Sequence, residues 1–205
     1  MANSRKSPPL SNSTLALDAV FQRALEDILA RVVVSDGIAF RIAVAFSGGL
    51  DSTVLLHLAA EACKQRSIKL FAFHVHHGLS PNADHWLAHC DEQAKQAGVA
   101  FVARKVQINP HDKLGIEQAA RRARYDALAD MCISNDVSLL LTAHHQDDQA
   151  ETVVLQLLRG AGLPGLSAMA TLQSEHALLG AGTALGRPLL EVTRADLEHL
   201  SLIHI

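Results

Sequence analysis

The sequence predicts an α/β protein built on an open parallel sheet of about five strands, with helices on both faces. Two sets of segments carry that expectation. Short apolar runs at Phe40–Phe46, Ile68–Val75, Val99–Val106 and Val137–Thr142 are β-branched or continuous enough for strands buried on both sides. Between them lie longer helical stretches, Thr53–Gln65, Asn82–Ala97, Gly115–Ser134 and Gln146–Arg159. Strands that alternate with longer helices need crossovers, which are right-handed and place helices on both faces. In such sheets ligands bind outside the carboxyl ends of the strands. Chemistry is therefore expected just after Phe46, Val75 and Thr142.

The remaining elements follow in order. Residues 1–16 are rich in Ser, Asn and Pro and read as a flexible leader without an apolar signal core. From Leu17, the spacing of Val20, Phe21, Leu25, Ile28 and Leu29 is helical, and Asp36-Gly37 ends the pattern. Past Arg159, repeated glycines mark loops, with a short strand or hairpin near Ala177–Leu190. Arg194–Leu200 begins a further helix. One domain over 17–200 is expected, and 201–205 reads as a truncated end.

Composition narrows the class. With 49% hydrophobic and 19% charged residues in 205, the chain has enough apolar material for one core and is not a disordered tail. No run is long enough to cross a bilayer, so no membrane partner is expected. Three widely spaced cysteines, Cys63, Cys90 and Cys132, fit neither a disulfide framework nor a Cys-x-x-Cys metal site, and suit a cytoplasmic protein. At a net charge of −3, contact with nucleic acid has to come from a local basic face.

The first expected site is Ser47-Gly48-Gly49-Leu50-Asp51-Ser52, between a strand and a helix. Paired glycines let the backbone turn tightly and approach a ligand, while serine hydroxyls and free N–H groups at the helix start suit an anion. It is not a Walker A loop. Asp51 would repel phosphates unless a cation intervenes, and Mg²⁺ resolves that conflict. The later Gly160-Ala161-Gly162-Leu163-Pro164-Gly165 matches a dinucleotide fingerprint only formally, since it follows a helix and Pro164 interrupts it.

Three further clusters are marked. His74-Val75-His76-His77 ends the second strand. His74 and His76 share a strand face but His77 does not, which favours contact with a nucleotide or base, or simple loop packing, over a metal site. On the third of those helical stretches, steps of four and three put Glu117, Arg121 and Arg124 on one face, with Ile116, Ala119, Ala120, Ala123, Ala127 and Leu128 on the buried side. Either a surface salt-bridge ladder or an arginine held on a phosphate by Glu117 explains that face. Finally, Thr142-Ala143-His144-His145-Gln146-Asp147-Asp148 and Glu151 gather acids at a strand's carboxyl end, beyond what helix-dipole complementarity needs. Such acids hold Mg²⁺ or an ammonium group, or accept a proton.

Ser47–Ser52 resembles the signature loop of the PP-loop ATP pyrophosphatases, which cleave ATP to AMP and pyrophosphate while activating an oxygen as its adenylate. Within that superfamily, the chain resembles the tRNA(Ile)-lysidine synthetase family through further segments. These are His74–Asp84 (HVHHGLSPNAD), Glu117–Tyr125 (EQAARRARY), Thr142–Thr152 (TAHHQDDQAET), Arg159–Leu166 (RGAGLPGL) and Arg187–Leu190 (RPLL), in family order.

The resemblance implies an adenine nucleotide alpha hydrolase-like fold and a defined reaction. ATP adenylates the C2 oxygen of the wobble cytidine in an isoleucine tRNA with a CAU anticodon, and the amine of lysine then displaces AMP. By the same resemblance, Ser47, Gly48, Gly49, Leu50, Asp51 and Ser52 bind ATP, with His74 and Glu117 also in the nucleotide site. Asp51 and Asp147 are the implied Mg²⁺ ligands, and Asp51 also acts in catalysis. Arg121 sits on phosphate or tRNA backbone, oriented by Glu117, while His144, Asp147 and Asp148 handle the flipped cytidine, lysine and its proton. Family members continue into further tRNA-binding domains, which this chain is expected to lack. The oligomeric state is open, and a homodimer is compatible. The alternatives are a 2-thiolating enzyme, which needs cysteine pairs or a catalytic cysteine, and an ATP-binding module without catalysis.

Overall fold

The computed structural model describes residues 12–32, 40–78, 81–107, 115–160, 168–180 and 182–204. In chain order the elements are α1 (Asn12–Arg31), β1 (Arg41–Ala45), α2 (Leu50–Gln65), β2 (Lys69–His76), α3 (Ala83–Gln96), β3 (Ala100–Lys105), α4 (Ile116–Ser134), β4 (Leu139–Leu141), α5 (Gln146–Leu158), β5 (Leu172–Gln173), β6 (Ala184–Gly186) and α6 (Arg194–His204). The six strands form one sheet in the order β3-β2-β1-β4-β6-β5. Pairing is parallel from β3 through β6, and β5 alone runs antiparallel, on the edge. The expected hairpin near Ala177–Leu190 is this β5–β6 pair, with its first strand lying earlier than the glycine pattern indicated.

Strand alternation divides the core in two. Ile42 and Val44 of β1, Leu70 and Ala72 of β2, and Leu139 and Leu141 of β4 face α1, α2, α3 and α6. The intervening Ala43, Phe71, Phe73 and Leu140 face α4. A period of two on strands covered by helices on both sides explains why these runs read as continuously apolar. Helix α1 starts at Asn12, so residues 12–16, read as leader, belong to its first turns, while 1–11 lie outside the described residues. The glycine-rich 161–167 also falls outside them, and with it most of the formal fingerprint.

Two packing expectations need correction. Val99–Val106 was read as a strand buried on both sides, but β3 is an edge strand with no buried residue. Ile116 was placed on the buried side of its helix, but it sits at the first turn of α4 and is exposed, whereas Ala127 and Leu128 are buried. Helix α5 contributes to neither core cluster: none of its residues is buried, and Val154, Leu155, Leu157 and Leu158 are exposed.

The chain moves outward from β1 to β2 and β3, then returns to place β4 on the other side of β1. That reversal leaves a crevice between the carboxyl ends of β1 and β4. The packing of α1 yields a direct test. Phe21 is fully buried, so Phe21→Ala should destabilise the domain by about 3–5 kcal/mol in urea unfolding. A change below 1 kcal/mol would show that α1 is not part of the core.

Candidate functional site

A cavity of about 690 Å³ opens over the carboxyl ends of β1, β2 and β4. Its wall includes Ser47, Gly49, Asp51 and Ser52 from the β1–α2 turn, and His74, His76 and His77 from the end of β2. Arg121, Arg124 and Tyr125 of α4 close a second side, and Thr142 and His144 after β4 a third. All three strand ends expected to carry chemistry therefore meet in one place.

The β1–α2 turn is built from its side chains inward. The Ser47 and Ser52 hydroxyls lie 3.0 Å apart, and Ser47 Oγ accepts the Gly49 N–H at 3.3 Å. Ser52 Oγ and Thr53 Oγ1 both donate to the Gly49 carbonyl at 2.9 Å. No side-chain hydrogen bond caps α2 at Gly49, so the first helical N–H groups keep the anion-attracting character of a helix start. Gly48 adopts φ +82° and packs into α3, where an added Cβ would lie 2.5 Å from Cys90 Sγ. Leu50 is turned towards the core, so any ligand contact there falls to its backbone.

The His144-His145 doublet divides between two environments, because consecutive residues of an extended segment point to opposite sides. His144 lines the cavity, and a hydrogen bond of 2.9 Å joins its Nδ1 to Thr142 Oγ1. Burial holds its pKa below the ordinary histidine value, with Arg187, Arg121 and Arg124 acting in the same direction against Asp148. His145 is buried on the other side, where Nε2 lies 3.8 Å from Asp51 and 3.6 Å from Asp148, and Nδ1 lies 3.4 Å from Asp147. Asp148 also accepts the His145 backbone N–H at 2.8 Å, and Asp147 accepts that of Arg194 at 2.9 Å. Asp147 thus ties the start of α5 to that of α6, Asp148 caps α5 itself, and neither is in the cavity wall.

Other expected residues distribute unevenly. His74 is buried in the cavity wall, and its Nδ1–H donates to the Phe46 carbonyl at 2.9 Å, so it braces the turn from below. Burial, partly opposed by that hydrogen bond, lowers its pKa. Arg121 reaches the cavity with its guanidinium 5.3 Å over the Tyr125 ring. Glu117 is exposed outside the wall, and no ion pair joins it to Arg121 among the described residues. Asp51 Oδ1 is buried without a hydrogen-bond partner, and an orphaned carboxylate oxygen beside a phosphate-sized turn fits a cation ligand. No group of three or more His, Cys, Asp or Glu side chains is arranged for a metal ion among the described residues.

Sequence reasoning missed three residues. His145 was passed over in favour of its neighbour, although strand alternation requires the two to part. Arg187, buried and bonded to the Ala170 carbonyl and Gln173, was quoted in a motif but given no role. Trp86 covers Gly48 and donates from Nε1 to the Ser47 carbonyl at 2.7 Å. Its spacing of four from Cys90, and of eight from Ala94, marks the inward face of α3, and this pattern was legible.

A family model described as a PP-loop domain matches residues 17–204. The chain belongs to the PP-loop family. A tRNA(Ile)-lysidine synthase of Ralstonia nicotianae is 47% identical over 193 residues, 93% of this chain and 40% of that protein. Another from Burkholderia mallei is 53% identical over 163 residues, 80% of this chain and 32% of that protein. One from Shigella flexneri is 51% identical over 165 residues, 80% of this chain and 36% of that protein. The chain thus spans between 32% and 40% of the length of these curated relatives.

Among solved structures, the U34-tRNA thiolase NcsA of Methanococcus maripaludis superposes with a TM-score of 0.71 at 18% identity, over 98% of this chain and 71% of that one. An NMN synthetase of Francisella tularensis gives 0.53 at 14% identity, over 90% and 69% of the respective chains. Both likenesses concern the PP-loop fold, an α/β sheet flanked by helices. No helix among the described residues is long and apolar enough to cross a membrane.

Four histidines of this PP-loop domain, one buried and three half-buried, couple its stability to pH. His74, His77, His144 and His176 all have lowered pKa values, in each case chiefly through burial. Below the ordinary value of about 6.5 the unfolded chain binds protons that the folded one refuses, so stability is full above that pH and falls below it. Thermal unfolding should show Tm dropping between pH 7.5 and 5.5, with a shallower drop in His144→Asn. A flat profile would contradict the burial of these rings.

Proposed function

We propose that this chain is the ATP-using catalytic domain of a lysidine-forming tRNA ligase. It would adenylate the C2 oxygen of the wobble cytidine in a tRNA(Ile) with a CAU anticodon and then join lysine there. The observation that carries the reading is the cavity itself. An uncapped helix start, two arginines and a neutral histidine converge on it. The tRNA(Ile)-lysidine synthase names of the relatives add the substrates.

In this reading the backbone of Ser47–Ser52 and the hydroxyls of Ser47 and Ser52 hold the phosphates of ATP. Arg121 and Arg124 neutralise charge as the cytidine oxygen attacks the α-phosphorus and pyrophosphate leaves. Mg²⁺, when bound, would screen the phosphate charge, with Asp51 as its ligand; Asp147 lies outside the cavity wall, against the His145 nitrogen that faces away from Asp51. The lysine amine then attacks C2, AMP leaves, and the amine must lose a proton. Of the three groups considered for that proton, His144 alone lines the cavity, and burial keeps it unprotonated. Asp147 and Asp148 instead hold His145 and the α5 and α6 starts.

A sulfur-transfer reaction finds no support in this chain's cysteines. Burial pushes the thiols of Cys63 and Cys90 up to about 11 and that of Cys132 to about 12, so none is a thiolate at neutral pH.

The test supplies ATP, Mg²⁺, labelled lysine and unmodified CAU-anticodon tRNA(Ile), and follows label in the tRNA together with pyrophosphate. Asp51→Ala should lower both signals by about 10²-fold or more. His144→Ala should lower label by roughly 10²-fold while pyrophosphate release persists. Pyrophosphate without label in the unaltered chain would mean that the nucleophile is not lysine. Neither signal, with ATP bound, would mean either that more of the relatives' length is needed or that the chain is a binding module, and the same assay on a longer chain separates the two.

A further inference from the structure

We propose that Trp86 is a positioning residue for the phosphate-holding turn: its indole N–H locks the Ser47–Gly48 peptide so that the Gly48 N–H points away from α3. The inference rests on the nucleotide reading given above and adds to it the residue that orients the turn.

The geometry is specific. Trp86 Nε1 donates to the Ser47 carbonyl at 2.7 Å, and Cys90 Sγ, one helical turn on, reaches the same oxygen at 3.7 Å. The carbonyl just before it, Phe46, accepts from His74 at 2.9 Å. Two successive carbonyls are thus captured by side chains of different elements, α3 and β2. The peptides are trans, so each N–H points opposite to its captured C=O. With the Ser47 oxygen held against α3, the Gly48 N–H has to face the other way.

A peptide between a serine and a glycine is otherwise easily rotated, because Gly48 at φ +82° pays no Cβ penalty for alternative conformations. The same glycine admits the clamp, since a Cβ there would lie 2.5 Å from Cys90 Sγ and 3.1 Å from Trp86 Nε1. Burial keeps the Cys90 thiol protonated at neutral pH, and therefore a donor. Trp86 also lines the cavity and is 44% exposed, so its emission reports on a ligand bound at the turn it holds.

The test is calorimetric titration of the 205-residue chain with ATP, inorganic pyrophosphate and adenosine. Trp86→Phe keeps an aromatic side chain and removes the donor. ATP and pyrophosphate Kd should rise by the same factor, roughly three- to tenfold for one lost hydrogen bond, with adenosine binding unchanged. Unchanged ATP affinity, or a parallel loss of adenosine binding, overturns the clamp. An unaltered chain that binds no ATP overturns the nucleotide reading instead, and the clamp falls with it.

Should Trp86→Phe not fold, the unaltered chain decides. Trp86 is its only tryptophan, so the indole emission should shift on pyrophosphate titration and stay constant with adenosine. No response to either ligand, or an equal response to both, overturns the inference.

Discussion

The architecture depends on β1, which is hydrogen-bonded on both edges, to β2 on one side and β4 on the other. Each of its central side chains is fully buried, alternating between the two helical layers. A strand so constrained cannot slip in register without turning its apolar residues to the wrong layer. Its carboxyl end is therefore a fixed point, and the chain order reverses around it. The turn that leaves β1, the histidines that end β2 and the segment that leaves β4 all inherit their positions from this one strand.

From that fixed point the site acquires two contrasting compartments. On the cavity side, His144 faces Arg121, Arg124 and Arg187 and is kept neutral by burial. On the opposite side, His145 sits among Asp51, Asp147 and Asp148, within 3.8 Å of each. Neighbouring imidazoles thus experience cationic and anionic surroundings because one extended peptide separates them. Asp147 and Asp148 also accept backbone N–H groups at helix starts, so their chemistry is coupled to the anchoring of α5 and α6. Altering either acid would move helices as well as charge.

The turn itself shows how a glycine serves packing and conformation together. Gly48 is required by its positive φ and by the approach of α3, whose Cys90 and Trp86 occupy the space a side chain would fill. Cys90 is an inert packing group and weak donor there, consistent with its raised pKa. All three cysteines are free and buried, and burial raises the pKa of each.

Most of the sheet was legible because strands covered on both faces must be apolar at every position, as Leu139–Leu141 are, and helices between them must repeat near 3.6. The turn Ser47–Ser52 was equally legible, since its glycines and hydroxyls are local requirements. Residues 12–16 were misread because polar, leader-like composition does not prevent a helix whose next turns dock through Leu17 and Phe21. Ile116 was misplaced because an apolar residue at a helix start need not reach the sheet. The separation of His144 from Asp147 and Asp148, the isolation of Glu117 and the capture of Ser47 by Trp86 were decided only by tertiary structure. Sequence spacing determines which residues share a face of one element. Which element that face meets depends on contacts between residues as far apart as Ser47 and Trp86, and those exist only once the sheet has set the distance between helices.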